Sequence, residues 1–545
     1  MTRQQPPFIV HSSLFIIHCS LVIGFTFRAL PLLQNRFHPD EALYASFARL
    51  IASGRDPMLH DVLVDKPPLP FYTMAASMMI FGGSEFAARL PHLIASVISL
   101  ALIFRVGESL YDRSTGALAA TLFALSPMAI LFAVTLFTDT MLIMFLLASL
   151  LALSRRLWAW SGLWWGLAFA CKQTAIFFLP LIAVIGLITF FNHRDRKERG
   201  ENQNNFHPSS FTRSLHPSSF LLPATLCVIL VFAWDILRQP SVSFCTQGYT
   251  HNNPNRLIRA NELLPRLTEW INLSSYITGS RLIDLLFIIG LPLLLLSHRR
   301  PSIQALHDFA LIGFTLSFFT SYWLFAFNVW DRYLLVLTPI IALLIARVIQ
   351  VISEQLSVIK FPTLRLHSGR ASNFRLPTSN FRLPTSNFRL PTSNFRLPTS
   401  NLSLFIVHSS LFIVLLPSAF TASQSALPIG GDHGSYDGID QIAVTLRSAP
   451  ADSVLYDYWL SWEWRFYLFD SPVYVAWMPD TVSIQKDLKA FGKKSPRYIV
   501  APSWVSFAEV QTAIESANFK PEKIQTTTRR DGSLSFTLYQ IIPNP

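Results

Sequence analysis

Residues 116–134 read GALAATLFALSPMAILFAV, a stretch without one ionisable side chain. Such a run is long enough, as a helix rising about 1.5 Å per residue, to cross the roughly 30 Å of bilayer hydrocarbon. Arg113 stands just before it and Asp139 a few positions after it. The whole chain repeats this texture. Of its 545 residues, 51% are hydrophobic and 14% charged, against about 25% charged in an ordinary soluble protein. A deficit spread over many apolar runs defines a polytopic membrane protein. The formal charge is +12, which fits lysine and arginine gathered in cytoplasmic loops. No basic, aromatic-interleaved module is visible, so nucleic acid is not an expected partner. Cys19, Cys171, Cys227 and Cys245 fit no zinc or redox spacing and imply no disulfide framework.

Further apolar runs occupy residues 8–33, 86–107, 136–154, 157–171, 173–191, 219–236, 281–297, 308–327, 333–352 and 403–420. Together with 116–134 they predict about eleven spans. The run 70–82 is shorter and reads as a re-entrant or interfacial helix. The first run continues to Leu33 without a small-residue cleavage site, so it reads as an uncleaved span. With the N-terminus in the cytoplasm, every alternate loop is basic. Those loops carry Arg113; Arg155 and Arg156; Arg194, Arg196, Lys197 and Arg199; Arg299 and Arg300; and Lys360, Arg365 and Arg370. Residues 34–85, 135–140, 237–280, 328–332 and the C-terminus then lie outside the cell.

Residues 372–399 are SNFRLPT four times over. A recurring proline at one position of the seven forbids a coiled coil, so residues 353–402 are expected to form a disordered loop with no catalytic part. After about residue 425 the composition turns soluble. DGIDQIAVTLRSAPADSVLYDYWLSWEWRFYLF reads as a helix followed by a strand, SPRYIVAPSWVSFAEVQTAIESANF as the same order again, and SLSFTLYQII as a last strand. The expected fold is therefore mainly α. It comprises a membrane core over 1–352, external juxtamembrane helices, a last span within 403–424, and an extracytoplasmic α/β domain over 425–545.

Three external features carry candidate chemistry. The first is Asp40 and Glu41 in RFHPDEALYASFARL, residues 36–50. Asp40 suits a helix N-cap, with acids at the positive end of the dipole, but two adjacent carboxylates also suit acid–base work. Leu43, Phe47, Leu50 and Ile51 form one apolar stripe, ended by Gly54, which predicts an amphipathic helix on the membrane surface. The second is VDKPPLPFY, residues 64–72, where Pro67 holds Lys66 extended; a stiff lysine at the membrane surface can hold a phosphate as a point charge. The third is Asp139 in LFTDTML, a carboxylate near span depth. Arg332 in NVWDRYLL and Lys172 in FACKQTA are further candidate phosphate contacts.

Taken in order, with SEFAARLPHLIAS and YDRSTGALAATLFALSP, these motifs resemble the membrane glycosyltransferases of the C superfamily. The bacterial branch with aminoarabinose transferases and relatives of protein O-mannosyltransferases is the nearest likeness. The resemblance is dense over residues 36–175 and continues through WDRYLLVLTP at 330–339. It implies sugar transfer from a polyprenyl-phosphate donor on the extracytoplasmic face. It also implies that Asp40 is the acid/base residue and that Lys66 contacts the donor phosphate. Asp65 stands where glutamate is commoner, and Asp139 is the third-turn aspartate.

The chemistry agrees on its own grounds. A base must take the proton of the attacking hydroxyl, and the leaving lipid phosphate needs cations. One displacement with one base inverts the sugar carbon. The expected partners are a polyprenyl-phosphate sugar, a hydroxyl acceptor of unknown kind and the bilayer. A divalent metal ion is carried as a candidate cofactor, with Asp40, Asp139 and His60 or His92 as candidate ligands, although no ligand spacing specifies one. The competing readings are a transporter or flippase of lipid-linked sugars, which usually shows repeated halves absent here, and a carbohydrate sensor, which leaves Asp40 and Lys66 without a role.

Overall fold

The structure, a computed structural model, describes residues 7–198, 216–297, 302–358, 399–431 and 433–544. The SNFRLPT repeats lie outside the described residues, as do Arg199, Arg299, Arg300, Lys360, Arg365 and Arg370. The membrane region consists of α1 (Pro7–Ala29), α2 (Pro39–Ala52), α3 (Leu69–Phe81), α4 (Glu85–Leu110), α5 (Arg113–Ala124), α6 (Pro127–Leu131), α7 (Asp139–Ser154), α8 (Trp158–Cys171), α9 (Leu179–Glu198), α10 (Leu221–Leu237), α11 (Phe244–Asn252), α12 (Leu263–Thr278), α13 (Arg281–Ser297), α14 (Ile303–Leu324), α15 (Arg332–Leu335), α16 (Thr338–Val358) and α17 (Thr399–Ser423).

Among the described residues six helices are long and apolar enough to cross a membrane, or eight if each of two bent pairs is one span. That is fewer than the eleven runs suggested; α1 enters the count only from Ile17 onward, and the other differences are local. Apolar length counts residues, whereas a span needs an unbroken helix. The run 116–134 is two helices, α5 and α6, bent by 62°. Pro127 has no N–H to continue the α5 ladder, and Ser126 caps α6 by accepting from the Ala129 amide. Pro127 thereby removes the i+4 donor of the Phe123 carbonyl, which keeps a long 3.4 Å bond from the Ser126 amide, and the Ala124 carbonyl also lies at the break. The buried Arg28 guanidinium donates to both carbonyls, at 2.8 and 2.9 Å, and also to the Ser96 hydroxyl at 2.9 Å. The runs 136–154 and 157–171 become α7 with 16 residues and α8 with 14; 14 residues rise about 21 Å, short of the hydrocarbon thickness.

Helix α4 packs against α1, α5 and α7; α7 packs on α8, α8 on α10, and α16 on α5 and α13. The α4–α5 crossing needs glycine: a Cβ on Gly107 would stand 2.7 Å from the Gly116 Cα. α2 is amphipathic as its stripe required, with Phe47 and Ile51 buried. It is a sandwiched helix rather than one lying bare on lipid, because α3 covers one side and the soluble domain the other.

That domain contains α18 (Ile439–Arg447), β1 (Val454–Asp457), α19 (Ser461–Tyr467), β2 (Tyr474–Trp477), α20 (Thr481–Phe491), β3 (Arg497–Pro502), α21 (Ala508–Ser516), β4 (Phe519–Thr528) and β5 (Leu534–Pro543). Its five-stranded sheet has the order β2-β1-β3-β5-β4. β1 runs parallel to β2 and β3, and β5 antiparallel to β3 and β4. The helix-then-strand order holds for α18 and β1 but reverses in the second segment, where β3 precedes α21. RYIVAP is the buried centre of the sheet, whereas AEVQTAIES buries one stripe, Val510 and Ile514. SWEWRFY forms α19, the helix that docks on α2. Arg49 of α2 donates to the Phe466 carbonyl at 2.7 Å and pairs with Asp470 at 2.8 Å. Phe37 meets the Phe466 ring edge-on, with ring centroids 4.9 Å apart.

Candidate active site

The start of α2 sends the two carboxylates to different partners. His38, extended at φ −64° and ψ 152°, is the N-cap, and its Nδ1 accepts from the Asp40 amide at 3.2 Å. Burial pushes the His38 imidazole below its ordinary range, more than the neighbouring Asp40 raises it, so the ring is a neutral acceptor. Glu41 closes the capping box by accepting from the His38 amide at 3.1 Å. Its other oxygen accepts from the Leu136 amide at 3.1 Å and lies 3.8 Å from the Arg89 guanidinium. Glu41 is therefore buried as a tie between α2 and the turn before α7, and it does not line the cavity. Capping by His38 and Glu41 leaves the Asp40 carboxylate for another partner. It accepts from Arg332 Nη1 at 2.8 Å and remains 40% exposed.

Arg332 opens α15. Its guanidinium lies over the rings of Phe137 and Trp330, at 4.6 and 4.5 Å from their centroids. Burial opposes its charge, and the Asp40 carboxylate it meets favours that charge. Tyr44 lies one turn beyond Asp40 on α2. Burial, then Asp65 and Asp40, push its phenol well up, so it stays a protonated donor.

A second ion pair closes the far wall. Asp139 opens α7 with 2% exposure, and Lys172 follows α8; the Lys172 ammonium donates to both Asp139 oxygens at 2.7 and 2.9 Å. The same ammonium lies 5.7 Å from the Tyr333 ring centroid. Lys66 pairs with its neighbour Asp65. Gln173, next to Lys172, donates to the Asp65 carbonyl at 3.0 Å and so anchors the Lys-Pro-Pro loop to the end of α8.

These groups surround a cavity of about 360 Å³. Lys66, Asp139, Lys172 and Arg332 line it. Asp40 joins it through Arg332, and Asp65 through Lys66. Every cation in the cluster thus has one carboxylate, in the pairs 40–332, 65–66 and 139–172. An entering anion can share the three cations without leaving an isolated buried charge.

Residues not singled out in the sequence complete the walls. Tyr333 donates its hydroxyl to the Asn252 side chain at 3.1 Å, and Asn252 and Tyr249 bring α11 against the cavity. Tyr44 follows Asp40 by four positions and Tyr333 adjoins Arg332, so helical spacing and adjacency carry a signal for them. QGYTHNN at 247–253, a polar run within residues 237–280, is the weaker signal for α11. Among the described residues no three His, Cys, Asp or Glu side chains group as metal ligands. Asp40 and Asp139 hold cationic side chains instead, His60 pairs with Asp56, and His92 is buried on α4 away from the cavity lining.

Comparison with known proteins follows this geometry. Residues 65–199 match the family model described as dolichyl-phosphate-mannose-protein mannosyltransferase. The undecaprenyl phosphate-alpha-4-amino-4-deoxy-L-arabinose arabinosyl transferase 2 of Proteus mirabilis is 29% identical over 166 residues, 27% of this chain. The chain spans 30% of that relative's length. In fold it is similar to ArnT from Cupriavidus metallidurans bound to undecaprenyl phosphate, with a TM-score of 0.58 at 14% identity and 97% of each chain covered. The apo ArnT structure gives a TM-score of 0.57 over the same shares. Over residues 65–199 the chain is thus similar in sequence to the family described as dolichyl-phosphate-mannose-protein mannosyltransferase, and over nearly its whole length it is similar in fold to ArnT.

Proposed function

We propose that the chain is an inverting glycosyltransferase that moves a sugar from a polyprenyl-phosphate donor to a hydroxyl acceptor at the extracytoplasmic surface of the membrane. The observation that carries this reading is the convergence of Lys66, Lys172 and Arg332 on one cavity, with the partly exposed Asp40 carboxylate on its Arg332 wall. The donor phosphate binds among the three cations, which take up the charge that grows as the sugar leaves. Asp40 accepts the proton of the acceptor hydroxyl as its oxygen forms the new bond to the anomeric carbon. The bond from that carbon to the phosphate oxygen breaks on the opposite side, and the phosphate leaves with the electron pair. Asp139 holds and aims the Lys172 ammonium, and Asp65 holds Lys66. Tyr44, Tyr333 and Asn252 offer hydrogen bonds to sugar hydroxyls. The alternation of basic loops supports the outer location of the site.

The test is to reconstitute the chain in vesicles with a native lipid and envelope extract as acceptor, and to offer radiolabelled polyprenyl-phosphate sugars. Consumption of one of them, abolished in Asp40→Asn with polyprenyl-phosphate binding retained, is the expected result. Passage of the intact lipid-linked sugar across the bilayer without cleavage would instead establish the flippase reading.

A further inference from the structure

The last membrane helix does not lead directly into the α/β domain. Residues 425–431 first run past Asn35, α6 and Asp331. Ser425, at φ 52°, accepts from Asn35 Nδ2 at 3.0 Å, which ties the strap to the segment before α2. Gly430 then passes so close to α6 that a Cβ would stand 2.5 Å from the Leu131 Cβ, and its φ of 86° is one that L side chains rarely adopt. Its amide donates to Asp331 Oδ2 at 2.9 Å, while Asp331 Oδ1 accepts from the Arg332 amide at 2.7 Å. One carboxylate therefore holds the strap with one oxygen and the first turn of α15 with the other. The next residue is the arginine that meets Asp40.

On the domain side Arg530 pairs with Asp437 at 2.9 Å and donates to the Gln34 carbonyl and the Asn35 side chain at 3.0 Å each. The strap at Ser425 and the α/β domain at Arg530 thus both hold the segment that leads into Asp40. Its two consecutive glycines fit the path where the chain runs between α6 and Glu41.

We infer that Asp331 is a positioning residue of the transfer reaction, through which the strap and the α/β domain fix the direction of Arg332. The inference rests on the proposed transferase reading. Asp331 touches neither donor nor acceptor. It acts by fixing the backbone from which Arg332 reaches Asp40, and a misplacement of about 1 Å at such a group costs on the order of 100-fold in rate.

The experiment uses the full chain in vesicles, the panel of radiolabelled polyprenyl-phosphate sugars for turnover, and undecaprenyl phosphate for binding. Asp331→Ala is expected to lower kcat about 10- to 100-fold, to weaken undecaprenyl-phosphate binding less than that because Lys66 and Lys172 keep their places, and to leave thermal stability close to wild type. Asp331→Asn, with one acceptor oxygen in place of two, is expected to fall between. Gly430→Ala is expected to mimic Asp331→Ala, and the double variant to be no slower than the worse single one, since both break the same link. Wild-type turnover in Asp331→Ala overturns the inference while leaving the transferase reading intact. So does a parallel fall of turnover, binding and stability, or multiplicative losses in the double variant. A wild-type chain that consumes none of the lipid-linked sugars overturns both.

Discussion

Replacing Lys172 by methionine isolates the buried pair on the far wall of the cavity. The ammonium donates to both oxygens of Asp139, at 2.7 and 2.9 Å, and both residues are almost fully buried. Lys172→Met leaves a buried carboxylate without its cation, and breaking such a pair costs about 3–5 kcal/mol. The cavity alongside admits water, so the lower end applies: roughly 3 kcal/mol, or about two decades in the folding constant. Asp139→Leu exposes the ammonium to the same penalty. The double variant, Asp139→Leu with Lys172→Met, removes both charges and fills a similar volume, and such replacements are often neutral. Its stability should return to within about 1 kcal/mol of wild type, a coupling of roughly 5 kcal/mol across the cycle. Unfolding of the detergent-solubilised chain measures all four proteins. Transfer activity should not return with stability, because the cation facing the donor phosphate is gone. Additive losses in the double variant would refute the pairing argument. Recovered transfer would refute the assignment of Lys172 to the phosphate.

Asp40→Asn should lower kcat by about 10²- to 10⁴-fold, the usual worth of a general base, with binding of undecaprenyl phosphate unchanged in a titration. Lys66→Ala should weaken that binding by about 10- to 100-fold, since a charge-assisted hydrogen bond is worth about 1.5–3 kcal/mol, and the loss should shrink at high salt. Glu41→Gln should damage stability more than chemistry, because its oxygens serve the His38 and Leu136 amides; a kcat loss equal to that of Asp40→Asn would contradict this. Glu463, buried in α19 beside α2, has its carboxyl raised from 4.5 to about 8, first by burial and then by Asp457 and Asp40. A group whose folded-state pKa lies above its unfolded value favours the folded state at low pH. Stability should therefore fall as pH rises from about 4.5 to about 8 and level off beyond. Thermal unfolding from pH 5 to 9 should show that slope in wild type and a flatter one in Glu463→Gln, and parallel slopes would exclude the effect.

The sequence by itself determined the class of the molecule and most of the charges in its site. Long uncharged runs force the chain into a bilayer, because the hydrocarbon has no partner for exposed polar groups. Charges at the edges of such runs stand out, but Asp40, Lys66 and Asp139 each admitted an ordinary structural role alone and became specific only as an ordered set of motifs. Number and pairing were not legible. How many runs become spans depended on helix breaks such as Pro127, where the carbonyls of Phe123 and Ala124 accept from Arg28, about 95 positions earlier in the chain. Asp40 and Glu41, adjacent and chemically alike, were separated by tertiary structure alone. The Leu136 amide and Arg89 draw Glu41 inward, and Arg332 draws Asp40 toward the cavity. Those partners lie from 48 to nearly 300 positions away, and a side chain's direction is set by whichever distant donor folding brings within reach. The same holds for the strap at Gly430, whose hydrogen bond to Asp331 exists because two segments about 100 residues apart meet beside Arg332.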